Sequence, residues 1–146
     1  MLVLGSLPGE ISLAAGRYYA NPRNQFWLLI GTVIRVDLSA IDYPDRLDAL
    51  VAAGIGLWDA VESGARVGSL DSNIRQHSPN KLAELAAGLP RLAAVAFNGG
   101  RSAAIGRKQL ADATGLELVN LPSSSPAYTL PLAQKRQQWL RLREWL

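Results

Sequence analysis

Apolar positions along this chain alternate between two spacings. Short apolar runs at residues 1–4, 55–58, 93–97 and 116–121 are followed by Gly5, Asp59, Asn98 and Pro122 respectively, and read as strands running into turns. Between them the apolar positions spread to helical spacing. Asn21-Pro22 supplies a capping residue and then a proline whose missing N–H costs nothing at a first helical position, so a helix is predicted over 22–34. Tyr43-Pro44 opens the next helix, with Leu47, Leu50 and Val51 on one face and Gly54 as its stop. Ser78-Pro79 repeats the cap-then-proline signal before Leu82, Leu85, Ala86 and Leu89, and Gly99-Gly100 turns the chain into a further helix. Residues 131–146 read as a closing helix, carrying Leu132, Trp139 and Leu142 among Lys135, Arg136, Arg141 and Arg143.

Strands and helices therefore alternate, which predicts an α/β fold. The expected form is a single domain over 1–146, a three-layer αβα sandwich whose central, mainly parallel four-stranded sheet is flanked by helices and presents ligand sites at the strands' carboxyl ends. With 146 residues, 49% of them hydrophobic, the chain can bury a core without covalent staples. No cysteine is present, which removes disulfides, thiolate catalysis and cysteine-ligated zinc or iron–sulfur sites. His77 is the one histidine, too few for a histidine-rich metal centre, and it reads as an ordinary exposed loop residue. No apolar run approaches the ~20 residues of a membrane span and no charged-then-apolar leader precedes the first strand, so a soluble, cytoplasmic protein is expected.

The net charge of +3 is unevenly placed. Residues 1–73 hold five arginines against eight acidic residues, while 74–146 hold ten Lys and Arg against four acidic ones. A basic half can face phosphates; a solvated surface of arginine-rich helices would look the same.

Each suspect loop follows a predicted strand, so all four should gather along one edge of the sheet. Pro8 and Gly9 let backbone approach a ligand closely, as a pocket wall or as a plain turn would. Tyr19 offers a flat face on which a base can stack. Asn24 falls in the first turn of the predicted helix, near the positive end of its dipole, where its amide either serves a ligand or bonds back to the Asn21 backbone. Asp59 either accepts a hydrogen bond from a ligand or caps a following helix, Asn98 reads a base edge or caps the Gly99-Gly100 turn, and Asp71 is better suited to a turn or cap than to catalysis.

The motifs Gly5-Ser6-Leu7-Pro8-Gly9, Tyr18-Tyr19-Ala20-Asn21-Pro22-Arg23-Asn24-Gln25-Phe26-Trp27, Gly54-Ile55-Gly56-Leu57-Trp58-Asp59, Gly68-Ser69-Leu70-Asp71, Phe97-Asn98-Gly99 and Leu121-Pro122-Ser123-Ser124-Ser125-Pro126 occur in order over essentially the whole chain. In this they resemble the uracil-DNA glycosylase superfamily, and within it the hypoxanthine (deoxyinosine) DNA glycosylases. Mismatch-uracil relatives carry a catalytic Asn where this chain has Leu7; in the hypoxanthine branch that Asn is displaced into the Pro-Arg-Asn segment, which falls on Asn24. The serine run at Ser123, Ser124 and Ser125 replaces the second-motif His of the main uracil-excising enzymes, so histidine stabilisation of a uracil anion is not expected.

The resemblance implies hydrolysis of the N-glycosidic bond of a deaminated base flipped out of DNA, hypoxanthine first and uracil or xanthine as lesser substrates, leaving an abasic site. It implies no cofactor, no metal, no membrane partner, a monomer, and a cytoplasmic, nucleoid-associated location in a prokaryote. Asn24 is then the catalytic residue, its carboxamide oxygen holding a water beneath C1′ of an oxocarbenium-like sugar. Gly5, Ser6, Leu7, Pro8, Gly9, Tyr19, Asp59 and Asn98 would bind the base, with Asp59 accepting N1–H of hypoxanthine. Ser123, Ser124, Ser125, Pro126, Ala127 and Tyr128 would contact DNA, the serines at phosphates and the last three as the intercalating loop. Arg101, Arg107, Lys108, Lys135 and Arg136 are candidate phosphate contacts. The alternative is a superfamily fold that binds DNA or a nucleotide without cleaving it, because Leu7 breaks the commonest motif.

Overall fold

The structure is a computed structural model that describes residues 1–65 and 75–146. The Gly68-Ser69-Leu70-Asp71 motif, and with it the turn role of Asp71, lies outside the described residues. Strand β1 (Leu2–Gly5) is followed by helices α1 (Glu10–Ala15), α2 (Phe26–Ile34) and α3 (Tyr43–Ala52), then by β2 (Gly56–Asp59). Strands β3 (Val61–Ala65) and β4 (Arg75–Pro79) precede α4 (Leu82–Ala87), β5 (Ala94–Asn98), α5 (Gly100–Gln109), β6 (Glu117–Leu121) and α6 (Leu132–Trp139).

The sheet has the order β2-β1-β5-β6 and every pairing in it is parallel, Leu2 lying opposite both Gly56 and Val95. Successive side chains on a strand point to opposite faces, and here both faces are covered. Val3 and Ala96 pack under Phe26, Leu29, Ile30 and Trp139 of α2 and α6, whereas Leu4, Val95 and Phe97 pack against Leu82, Ala103 and Leu110 from the α4 and α5 side. This is the expected three-layer αβα sandwich. Trp139, fully buried with its indole N–H donating to the Pro122 carbonyl at 3.0 Å, is core, as its helical spacing suggests.

Four local expectations need correction. Helix α2 starts at Phe26 rather than Pro22, because Asn21 Oδ1 takes the Arg23 N–H (3.0 Å) and Asn24 Oδ1 takes the Phe26 N–H (2.9 Å). These side-chain turns satisfy the backbone in place of a first helical turn. Ser78-Pro79 caps no helix: it ends β4, with Pro79 opposite Val61, and α4 begins only at Leu82, so His77 sits in a strand rather than a loop. Val51 is 73% exposed, so the buried face of α3 is Leu47 with Leu50. Finally, the closing helix is α-helical only to Trp139 and tightens to a 3-10 form over Leu140–Trp145, where Arg143 donates to the last carbonyls of α2, Val33 and Thr32.

Candidate active site

β1 and β5 are neighbours whose chains leave in opposite directions, β1 toward β2 and β5 toward β6. Loops diverge at such a switch point and open a crevice at the strands' carboxyl ends. A cleft of about 770 Å³ occupies that place. Every residue singled out from the sequence as catalytic, for base binding or for the DNA-contacting loop lines it: the Gly5 to Gly9 turn, Tyr19, Asn24, Asp59, Asn98, and the loop from Ser123 to Tyr128; the candidate phosphate contacts Arg101, Arg107, Lys108, Lys135 and Arg136 do not.

The turn after β1 is held against the extension of β2, Gly5 and Ser6 carbonyls accepting from Ala60 and Val61 N–H at 2.8 and 2.9 Å. Gly5 admits no side chain: a Cβ there would stand 3.0 Å from Asp59 Oδ1 and 3.2 Å from the Tyr19 hydroxyl. The missing side chain lets these two groups converge on the cleft floor.

Asp59 ends β2, and a strand rather than a helix follows it, so it is not a helix cap. Burial pushes its carboxyl up to about 6, and the hydrogen bond donated by the Tyr18 hydroxyl pulls partly the other way. Tyr18 in turn is pushed up to about 12, by its burial first and then by the Asp59 charge and Tyr43. Its backbone N–H donates to the Tyr43 hydroxyl at 2.9 Å, which fixes the pair.

Tyr19 adopts a left-handed backbone (φ 51°), unusual for a residue with a side chain. Neighbouring bonds hold it there: the Tyr19 carbonyl accepts from Trp27 Nε1 at 3.2 Å and the Ala20 N–H donates to Ser12 Oγ at 3.0 Å. One ring face is stacked on Phe26 at 3.8 Å, so a base can use only the other face.

Asn98, 7% exposed, does not cap the Gly99-Gly100 turn. Its Nδ2 donates to the Tyr19 hydroxyl (3.1 Å) and Ser124 Oγ (2.8 Å), while its Oδ1 accepts the Ser124 N–H (2.8 Å). Both amide protons are thus spent within the protein. Asn24 differs: Oδ1 takes one bond, from Phe26 N–H, and a second lone pair and the whole Nδ2 group have no described protein partner.

The loop after β6 is fixed by the same groups. Ser124 is buried, and its carbonyl accepts the Gln25 N–H at 2.9 Å, joining this loop to the residue after Asn24. Pro126 and Ala127 carry the loop outward to Tyr128, which is 48% exposed.

Of the candidate phosphate contacts, Lys135 is buried and Arg107 spends its guanidinium on Asn120 Oδ1 and the Leu118 carbonyl. Sequence reasoning missed Arg17, Arg23 and the α1 residues Ile11 and Leu13 on the cleft wall, and the bond from Tyr18 to Asp59. The Tyr18-Tyr19 doublet was a signal for the last; α1, a six-residue helix after Pro8-Gly9, gave none.

No family model matches the chain. It is 39% identical over 139 residues to a hypoxanthine DNA glycosylase of Methanosarcina barkeri, covering 95% of this chain and 87% of that protein. A hypoxanthine DNA glycosylase of Methanosarcina acetivorans is 36% identical over the same shares. The solution NMR structure of a candidate uracil DNA glycosylase from Methanosarcina acetivorans superposes with a TM-score of 0.85 at 35% identity, covering 99% of this chain and 89% of the other.

Proposed function

The chain belongs to the hypoxanthine DNA glycosylases, hydrolases of N-glycosyl bonds in DNA with a uracil-DNA glycosylase-like fold, and from that premise we propose that it excises hypoxanthine through a water held by Asn24. One observation carries the reading: a single cleft is lined both by Asn24, whose carboxamide keeps free hydrogen-bonding capacity, and by the half-buried carboxylate of Asp59.

Asn24 has no useful proton chemistry, so its part is positioning. Its spare Oδ1 lone pair accepts from a water and directs it to C1′ as the glycosidic bond breaks and positive charge grows on the sugar. Ionised Asp59 accepts N1–H of hypoxanthine, and a purine analogue without that proton leaves it unpaired, which is how a polar site discriminates. Tyr19 presents its unstacked face to the base, Asn98 and Gly5 shape the floor, and the loop from Ser123 to Tyr128 engages the DNA as the base leaves the stack. Uracil likewise carries an N–H beside a carbonyl, so weaker uracil excision fits the same acceptor; xanthine belongs with it.

Incubation with oligonucleotides holding inosine, uracil or xanthine, followed by alkaline cleavage at abasic sites, tests the reading. Cleavage is expected at inosine first. No cleavage with any of the three would leave a module that binds DNA without cutting it. We take the enzyme to act as a single-domain monomer without metal or cofactor, so excess EDTA should leave the rate unchanged and sedimentation should give the mass of one chain.

A further inference from the structure

Lys135, on α6, is 1% exposed although it carries a charge. Its Nζ donates to Gln25 Oε1 at 2.9 Å and to the Ser125 carbonyl at 3.3 Å, and lies 5.4 Å from the centre of the Tyr128 ring. No carboxylate among the described residues is within ion-pair reach of it. An ammonium buried on neutral acceptors is costly, and burial lowers its proton affinity. A leucine or methionine at this place on α6 would serve packing at less expense, so packing alone does not account for the residue.

Its contacts divide the loop in two. The inner half, Ser124, is fastened without it, by Asn98 and by the Gln25 backbone. The outer half turns on Ser125, whose carbonyl takes the Tyr128 N–H at 3.1 Å and whose Oγ takes the Ala127 N–H at 3.2 Å. Lys135 grips that same carbonyl and the Tyr128 ring, and its third contact is the residue after Asn24.

We propose that Lys135 is a positioning residue for base extrusion, setting the pose of Tyr128 relative to the Asn24 turn through Ser125 and Gln25. This rests on the reading of residues 123–128 as the loop that enters DNA. Losing the clamp should loosen Tyr128 while sparing the Ser124, Asn98 and Tyr19 network, and so should hurt extrusion from a stack more than bond cleavage.

The test is single-turnover hypoxanthine excision by the whole protein from a matched duplex and from a single strand of the same sequence, in wild type, Tyr128→Ala, Lys135→Met and the double variant. Lys135→Met should slow the duplex reaction about tenfold, the worth of one charge-assisted hydrogen bond, and the single-strand reaction less than about threefold. The double variant should be no slower on duplex than Tyr128→Ala alone, and a 2-aminopurine beside the lesion should brighten more slowly with Lys135→Met. Equal losses on both substrates, or losses that multiply in the double variant, overturn the proposal. If Lys135→Met shows no cooperative melting, Gln25→Met replaces it, with the same duplex-selective loss expected and an equal loss overturning. A Tyr128→Ala variant that slows both substrates alike would instead sink the loop reading itself.

Discussion

At the scale of single residues, the cleft assigns different tasks to groups that look alike in sequence. Asn98 ends β5 and Asn24 lies in the turns before α2, and Asn98 has spent both amide protons on Tyr19 and Ser124 while Asn24 keeps its own. Asn24→Ala should therefore preserve the fold and DNA binding and lower excision by roughly two to three orders of magnitude, the scale for losing one preorganised polar group; single-turnover rates within threefold of wild type would refute it. On the proposed reading Asp59 accepts N1–H as a carboxylate, so excision should fall as pH drops through about 6, and Asp59→Asn should abolish that limb together with most activity. Its effect on stability has the opposite sense. The folded carboxyl holds its proton more tightly than an unfolded one, so stability falls as pH rises from about 4 to about 6, and Asp59→Asn should melt higher than wild type at pH 7, by up to about 3 kcal/mol. Tyr19→Phe leaves one Asn98 amide proton without its hydroxyl partner but keeps the stacking ring, so capture of the extruded base should stay near wild type; Tyr19→Ala should weaken that capture by about 1–3 kcal/mol, measured by binding to a non-cleavable analogue.

Elements were legible where hydrophobic period and punctuation agreed. All four parallel strands lie within a residue or so of the apolar runs; the central strands β1 and β5 are buried on both faces and need an unbroken apolar stretch, while the edge strands β2 and β6 keep exposed positions at Trp58, Glu117 and Asn120. The β3 and β4 pair was invisible: Val61–Ala65 and Arg75–Pro79 contain glycine, serine and charge, and their pairing is tertiary. At Asn21-Pro22 the helix signal misled because the same asparagine chemistry that caps helices also builds turns, and here two turns precede α2. That error matters for function, since it moves Asn24 out of the helix and onto the cleft wall. The four loops that follow the parallel strands emerge together as expected, as strand ends fix where loops emerge. Tyr128, at the exposed tip of the last of them, should when changed to Ala slow excision from a matched duplex more than from single strand or a mismatch, where extrusion costs less; equal loss on all three would return the loop to a surface turn.

For the whole molecule, the charge count in the second half overstates what is available to DNA. Lys135 is buried and Arg107 and Arg143 are bound to carbonyls within the protein, while Arg17 and Arg23 from the acidic half stand on the cleft wall. Binding should still weaken with salt, by about 0.9 in log K per log[salt] for each phosphate neutralised, but the slope should count fewer contacts than the ten basic residues of 74–146; a salt-independent affinity would remove phosphates from the account. The parallel sheet carries one more consequence. Its second strand in spatial order is β1, and β1 meets β5 only through partners such as Leu2 and Val95, with nearly two thirds of the chain between them. On a ribosome adding about 5–20 residues each second, β1 waits roughly 5–20 s after its own synthesis for its second neighbour. Until then its apolar edge is open, and this enzyme should depend on something that shields nascent chains, or on slow cooperative closure late in translation, more than a protein of equal size built from hairpins.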